Sequence, residues 1–318
     1  MIQMDSKLSP IKGFSFARTI EGRAILVSLV VGIIIVIVKT SAYLTSGSMA
    51  VMADMLESFV HNLAILFVAY CLWFSHLPAD DNHLYGHGKS QFLSAAVEGA
   101  FVCGAALLII MNCGKAYLVG YSLLNVSQGA GLAALAGVIN AILGGWMIRT
   151  GKRQSAIILI AHGKHIMSDV VTTAAALVGM LVAWITNLIY IDLIVALLGG
   201  FYIFYEGLKL LRQSIAGLLD EANMEVDRKL RKILKNESIE HLVSYHQLRH
   251  RSEGNKHWME LHLVMDDNMA LQEAHDLASH IESVIRSSIP EPITITSHLE
   301  PKSSLKKSGG KTELKSLE

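Results

Sequence analysis

Four side chains inside the apolar part of this sequence carry metal-ligand chemistry at helical spacing: Glu57 and His61, then His165 and Asp169. Each pair is four residues apart, and in an α-helix positions four apart share a face. Two such faces brought together would present two imidazoles and two carboxylates, a donor set suited to a divalent transition metal. Asp54, one turn before Glu57, is a further candidate for that site. Ionisable groups at bilayer depth are costly, about 2.5–3.5 kcal/mol each on insertion scales, so a chain that keeps several there is expected to use them.

The elements that must position these residues follow from composition. Of 318 residues, 52% are hydrophobic and 17% charged, which points to a polytopic membrane protein rather than a soluble one. Apolar runs over roughly 24–44, 49–74, 91–119, 130–148, 156–185 and 191–211 predict six transmembrane helices, each long enough for the roughly twenty residues a span requires. Nothing in the first twenty residues reads as a removable signal peptide, so the first run is expected to be a true span. Lys and Arg lie before the first run, after the second, after the fourth and in the tail, and are missing from the turns at 45–48, 120–129 and 186–190. That distribution predicts both termini on the cytoplasmic side. Lys39 and Lys115, inside spans, are expected to snorkel toward the outer interface.

Beyond residue 218 the apolar character ends. Residues Glu225 to Asn236 predict an amphipathic helix, and Ile239 to Arg249 and His257 to Met265 predict strands. In the second strand Met259, Leu261, Leu263 and Met265 alternate with Trp258, Glu260, His262 and Val264, the period of a half-buried strand. Ala270 to Ser287 returns to helical spacing, with Leu271, Ala274, Leu277, Ile281 and Val284 on one face, and Ile293 to Thr296 is β-rich. The order αββαβ predicts a small sheet covered on one face by helices. The expected division is a cytoplasmic segment at 1–23, a six-helix membrane domain at 24–212, a cytoplasmic domain at 213–301 and a disordered tail at 302–318. Cys71, Cys103 and Cys113 lie in apolar runs without CxxC spacing and predict packing rather than disulfides. Without a Walker sequence, a GxGxxG turn or a nucleophile elbow, no nucleotide site is expected and the energy source should be an ion gradient.

Ser46-Gly47-Ser48-Met49-Ala50, Ala53-Asp54, the run Asp80-Asp81-Asn82-His83-Leu84-Tyr85-Gly86-His87-Gly88-Lys89 and His165-x-x-x-Asp169 together resemble the cation diffusion facilitators, over about residues 15–301. The resemblance implies six membrane helices with a cytoplasmic ferredoxin-like domain, and a homodimeric exporter exchanging divalent cations for protons. By position it carries the transport site onto Glu57, His61, His165 and Asp169. It implies a second metal site in the loop at Asp80, His83 and His87, and a cytoplasmic-domain metal set among His246, His262, His275, His298 and Glu300. It also implies an ion pair between Lys89 and Asp220. His241, His250, His257 and His280 match no role and are expected to be surface residues. The sequence departs from the family in its second helix, where Glu57-x-x-x-His61 stands in place of His-x-x-x-Asp or Asp-x-x-x-Asp; this leaves the metal open.

The expected function is therefore proton-coupled export of a divalent metal from an inner (plasma) membrane, with lipid, protons and a second copy of the chain as partners and no nucleic acid. Zinc suits His and carboxylate ligands best; iron, manganese, cobalt, nickel and cadmium stay open, because affinity order is a poor guide to cargo. Metal would be cargo and, in the tail, a structural ion. The rival readings are an intramembrane metal-dependent hydrolase, for which HExxH is missing, and a membrane-anchored metal sensor.

Overall fold

The computed structural model describes residues 20–75, 77–154, 157–235, 242–254, 256–289 and 292–306. Six long helices come first: α1 (Ile20–Ser46), α2 (Met49–Ser75), α3 (Ser90–Val119), α4 (Val126–Gln154), α5 (Ile157–Thr186) and α6 (Tyr190–Leu218). Each is long and apolar enough to cross a membrane. At 1.5 Å per residue they reach about 40–45 Å, more than the apolar layer requires. The helices overrun the apolar runs, most clearly at the end of α4, because backbone hydrogen bonds carry a helix past the last lipid-facing side chain.

The chain divides into two compact units, Met1–Phe67 with Val97–Lys209, and Val68–Ala96 with Leu210–Glu318. In the first, small residues let helices approach closely, as membrane helix pairs require. A Cβ on Gly163 of α5 would lie 3.0 Å from the Gly144 carbonyl oxygen of α4, and one on Gly144 would lie 3.1 Å from the Gly163 carbonyl oxygen. These reciprocal contacts set the α4–α5 spacing. Ala24, Leu143, Met147, Leu159 and Ile166 close an α1–α4–α5 core. A second core, with Val60, Ala106, Ile109 and Ile203, joins α2, α3 and α6. The start of α2 is held from another helix: buried Asp192 of α6 accepts from Ser48 Oγ at 2.5 Å, from the Met49 N–H at 2.7 Å and from Tyr121 Oη at 3.0 Å. A carboxylate there satisfies amides that the first turn leaves unpaired.

The second unit holds the C-terminal domain: α7 (Met224–Leu234), β1 (Leu242–Ser252), β2 (His257–Met265), α8 (Leu271–Ser288) and β3 (Ile293–Pro301), followed by a 3₁₀ turn at Lys302–Lys306. Asn223 caps α7, its side chain accepting from the Glu225 and Val226 amides. The sheet order is β1-β2-β3, with β1 antiparallel and β3 parallel to β2. This is the expected αββαβ architecture. Met259, Leu261, Leu263 and Met265 face the helices as their alternation requires. The α8 face is Ala274, Ala278, Ile281 and Ile285, whereas Leu271, expected inside, is 83% exposed. It sits at the first residue of the helix, before the turn that meets the sheet. His250 and His257, expected at the surface, are buried; His280 is exposed, and His241 lies outside the described residues.

Candidate metal-transport site

Among the described residues, three groups of His and carboxylate side chains bring ligand atoms within 4.8 Å of one another. The first is His61 of α2 with His165 and Asp169 of α5, inside two of the spans. The His61 and His165 rings meet edge to face at 4.4 Å between centroids. His61 and Asp169 are half-buried and His165 is exposed on the single chain. Two imidazoles and one carboxylate make a three-ligand set that a divalent metal can share with water or a fourth donor.

Glu57 lies within electrostatic reach of Asp169 and His61 but outside this cluster. Asp54 is engaged elsewhere. It accepts from Lys39 Nζ at 2.8 Å, from Thr173 Oγ1 at 2.9 Å and from Thr172 Oγ1 at 3.3 Å. Thr173 also reaches the Asp169 carbonyl oxygen at 2.8 Å, so the network braces α1, α2 and α5 beside the cluster. Lys39 is fully buried in this network and also donates to Ser58 Oγ at 2.8 Å; it does not snorkel. Taking two opposite charges out of water together, with hydroxyls completing their hydrogen bonds, is less costly than burying either alone. Lys115, one turn from the end of α3, is exposed.

Sequence reasoning missed two ionisable neighbours. Glu98 of α3 lies with Oε1 3.7 Å from His61 Nδ1. A carboxylate within an apolar span was the available signal. His162 of α5, three residues before His165 and so on the adjoining helix face, has its Nε2 2.8 Å from Ser28 Oγ.

In the loop between α2 and α3, Asp80, His83 and His87 form the second group. Asp80 Oδ1 accepts from the His83 N–H at 2.6 Å and lies 3.0 Å from His83 Nδ1, while Asp80 Oδ2 lies 3.3 Å from His87 Nε2. Gly86, at φ 92°, makes the turn that swings His87 back toward Asp80. His87 is buried against Phe74 and the other two are exposed. Lys89 Nζ lies 2.9 Å from Asp220 Oδ1, and Arg251 Nη1 lies 3.6 Å from Asp220 Oδ2.

The third group is His246, His262 and Glu300 on the sheet. Strand register places His246 opposite His262, and His262 opposite His298, in one row across three strands. Glu300 is two residues beyond His298 and therefore on the same face. Its carboxylate lies 2.7 Å from His262 Nδ1 and 3.1 Å from His246 Nε2. Burial alone would raise the Glu300 pKa, but the two imidazole hydrogen bonds outweigh it and hold the carboxyl below its ordinary value. His298 borders the group, its ring 4.7 Å from that of His262; His275 is exposed on α8 and outside it.

Six membrane helices, a helix-covered sheet and a cluster of metal-ligand side chains within the spans define a polytopic metal-handling membrane protein. The cation efflux transmembrane domain profile matches residues 25–219, and the profile of the cation efflux protein cytoplasmic domain matches 223–302. The chain belongs to the cation efflux family, whose members are transporters, not enzymes. That removes the hydrolase reading. The uncharacterized transporter sll1263 of Synechocystis sp. is 32% identical over 264 residues, covering 83% of this chain and 84% of its own. The cation-efflux pump FieF of Citrobacter koseri is 30% identical over 303 residues, covering 92% and 96%. A solved chain of CzrB in its zinc form is 27% identical, covers 25% of this chain and 86% of its own, and superposes at a TM-score of 0.22.

Proposed function

We propose that this cation efflux protein exports a divalent transition metal from the cytoplasm in exchange for protons, as a homodimer in the inner membrane with both termini cytoplasmic. The observation that carries the reading is the meeting of His61, His165 and Asp169 within the spans. Such ligands bind metal when deprotonated and release it when protonated; imidazole, with an unperturbed pKa of about 6.5, makes that competition effective near neutral pH. Glu57 is the fourth ligand of the transport site, recruited when the metal draws α2 and α5 together, and Asp54 supports it through the Lys39–Thr173 network. Two conformations of unequal affinity for metal and proton then suffice for exchange. Zinc is the first candidate cargo because tetrahedral His and carboxylate coordination suits it.

The loop group Asp80, His83 and His87 and the sheet group His246, His262, Glu300 and His298 are metal sites off the transport path. Metal there stabilises the dimer. The test is uptake of a panel of divalent metals into inside-out vesicles under an imposed pH gradient. Wild type should take up metal and acidity on the vesicle interior should drive it; Asp169→Ala should not transport. Normal uptake by a folded Asp169→Ala protein refutes the reading.

A further inference from the structure

The cavity that contains the three-ligand cluster has about 40 Å³ of room, and α1, α2, α4 and α5 all line it. One water-sized occupant needs only about 10–15 Å³ on this measure, so the space accommodates more than one bare ion. Beyond the ligands, its polar lining includes Ser28, Asn62, Asn140 and His162, one from each helix. Two of these present unpaired atoms. Asn140 is 4% exposed, and its Nδ2 has no hydrogen-bond partner among the described residues. Asn62 Oδ1 is likewise buried without a partner among them. Its orientation is settled by the other end of the amide, because Nδ2 donates to the Ser58 carbonyl oxygen at 2.9 Å. Gly32 of α1 accommodates it: a Cβ there would overlap Asn62 Oδ1. Buried amide atoms left unpaired are destabilising unless something in the cavity meets them.

We infer that Ser28, Asn62, Asn140 and His162 form a second cation position beside the transport ligands, one that holds a partly hydrated divalent cation. Asn62 Oδ1 offers a carbonyl oxygen and His162 an imidazole nitrogen. Ser28 Oγ, now 2.8 Å from His162 Nε2, can rotate to release that nitrogen and offer its own oxygen. Asn140 Nδ2 donates to the oxygen of a water carried by the ion. All four side chains are neutral, whereas the neighbouring cluster includes the Asp169 carboxylate. The second position therefore binds more weakly and passes its ion on. Placement supports the transfer: Asn62 lines the same cavity as His61, and His162 stands one turn before His165 on α5. The inference rests on the proposed transport role of His61, His165 and Asp169.

The full-length protein in vesicles tests it, with zinc flux and equilibrium cadmium binding as readouts. His162→Gln and Asn62→Leu should raise the KM for zinc roughly tenfold, the size of effect seen when a supporting ligand is lost. Each should bind fewer cadmium ions per chain than wild type. Asn140→Asp adds a charge and should act in the opposite sense, lowering both KM and kcat because the ion is held where it should pass. That gain is readable even if a removal variant folds poorly. Unchanged KM and cadmium stoichiometry in folded His162→Gln and Asn62→Leu would show that the cavity takes water alone and overturn the inference. So would loss of kcat at unchanged KM and stoichiometry, which marks a structural role. Asp169→Ala keeps the two ideas apart: its inactivity alongside wild-type behaviour of the cavity variants sinks only the second position, whereas its full activity sinks the transport site itself.

Discussion

Replacing Lys39 with Met tests whether the buried charge network holds the transport helices together. Lys39 is fully buried, and the Asp54 side chain opposite it is 4% exposed at 2.8 Å. Removing one partner of a buried pair typically costs about 3–5 kcal/mol, because the other charge is left uncompensated. Here Asp54 keeps hydrogen bonds from Thr173 and Thr172. Hydrogen bonds to a charged group are worth about 1.5–3 kcal/mol each, so the loss should fall at the low end, about 3 kcal/mol. Asp54→Asn in the same background should restore most of it, since the amide still accepts from Thr173 and no charge is stranded. The assay is a double-mutant cycle on unfolding in mixed micelles, with a coupling of about 2 kcal/mol or more expected for residues in one network. Metal flux should weaken in parallel, because Thr173 joins Asp54 to the Asp169 backbone. A cost below about 1 kcal/mol for Lys39→Met, with no coupling to Asp54→Asn, is the level of an exposed pair and would refute the argument.

The C-terminal domain offers a pH prediction. Burial lowers the His250 pKa, helped by His257 and Arg231 and opposed by Asp227. The unfolded chain therefore takes up a proton more readily than the folded one below about pH 6.5, and stability should fall as pH drops from there toward the folded value. His250→Gln should flatten that slope in thermal unfolding measured from pH 7.5 to 5. Glu300 has the usual carboxylate sign: its depressed pKa contributes stability above its unfolded value that is lost as pH falls through the folded one. Glu300→Gln should lower zinc affinity of the sheet group by roughly 10- to 100-fold in competition titrations of the full-length protein, and spare flux if that site is off the path. Gly163→Leu should separate α4 from α5, since its Cβ would lie 2.8 Å from Ile148 Cγ1 and 3.0 Å from the Gly144 carbonyl oxygen. Overpacking of this kind costs about 1–3 kcal/mol, and flux should fall as the α5 ligands shift.

The sequence by itself determined the elements and their order. Hydrophobic run length specifies a membrane span, because an unpaired backbone in lipid is costly and a helix pairs all of it internally. Alternation in β2 likewise specified which side chains reach the core, since strand side chains change face at every residue. Helical spacing placed His165 with Asp169 on one face, and local turn chemistry kept Asp80, His83 and His87 within one loop.

Contacts across helices were decided only by the tertiary structure. Spacing within α2 treats Asp54, Glu57 and His61 alike, yet Asp54 meets Lys39 from α1 while His61 meets His165 from α5. Glu98, His162, Asn62 and Asn140 acquire meaning through the same convergence, since none is near the others in sequence except through its own helix. Strand register did the same for His246, His262 and His298, whose separations along the chain show no common row. The physical reason is that periodicity reports the face a residue occupies, whereas rotation and crossing of helices, set here by glycine contacts such as Gly144 with Gly163, decide which faces meet.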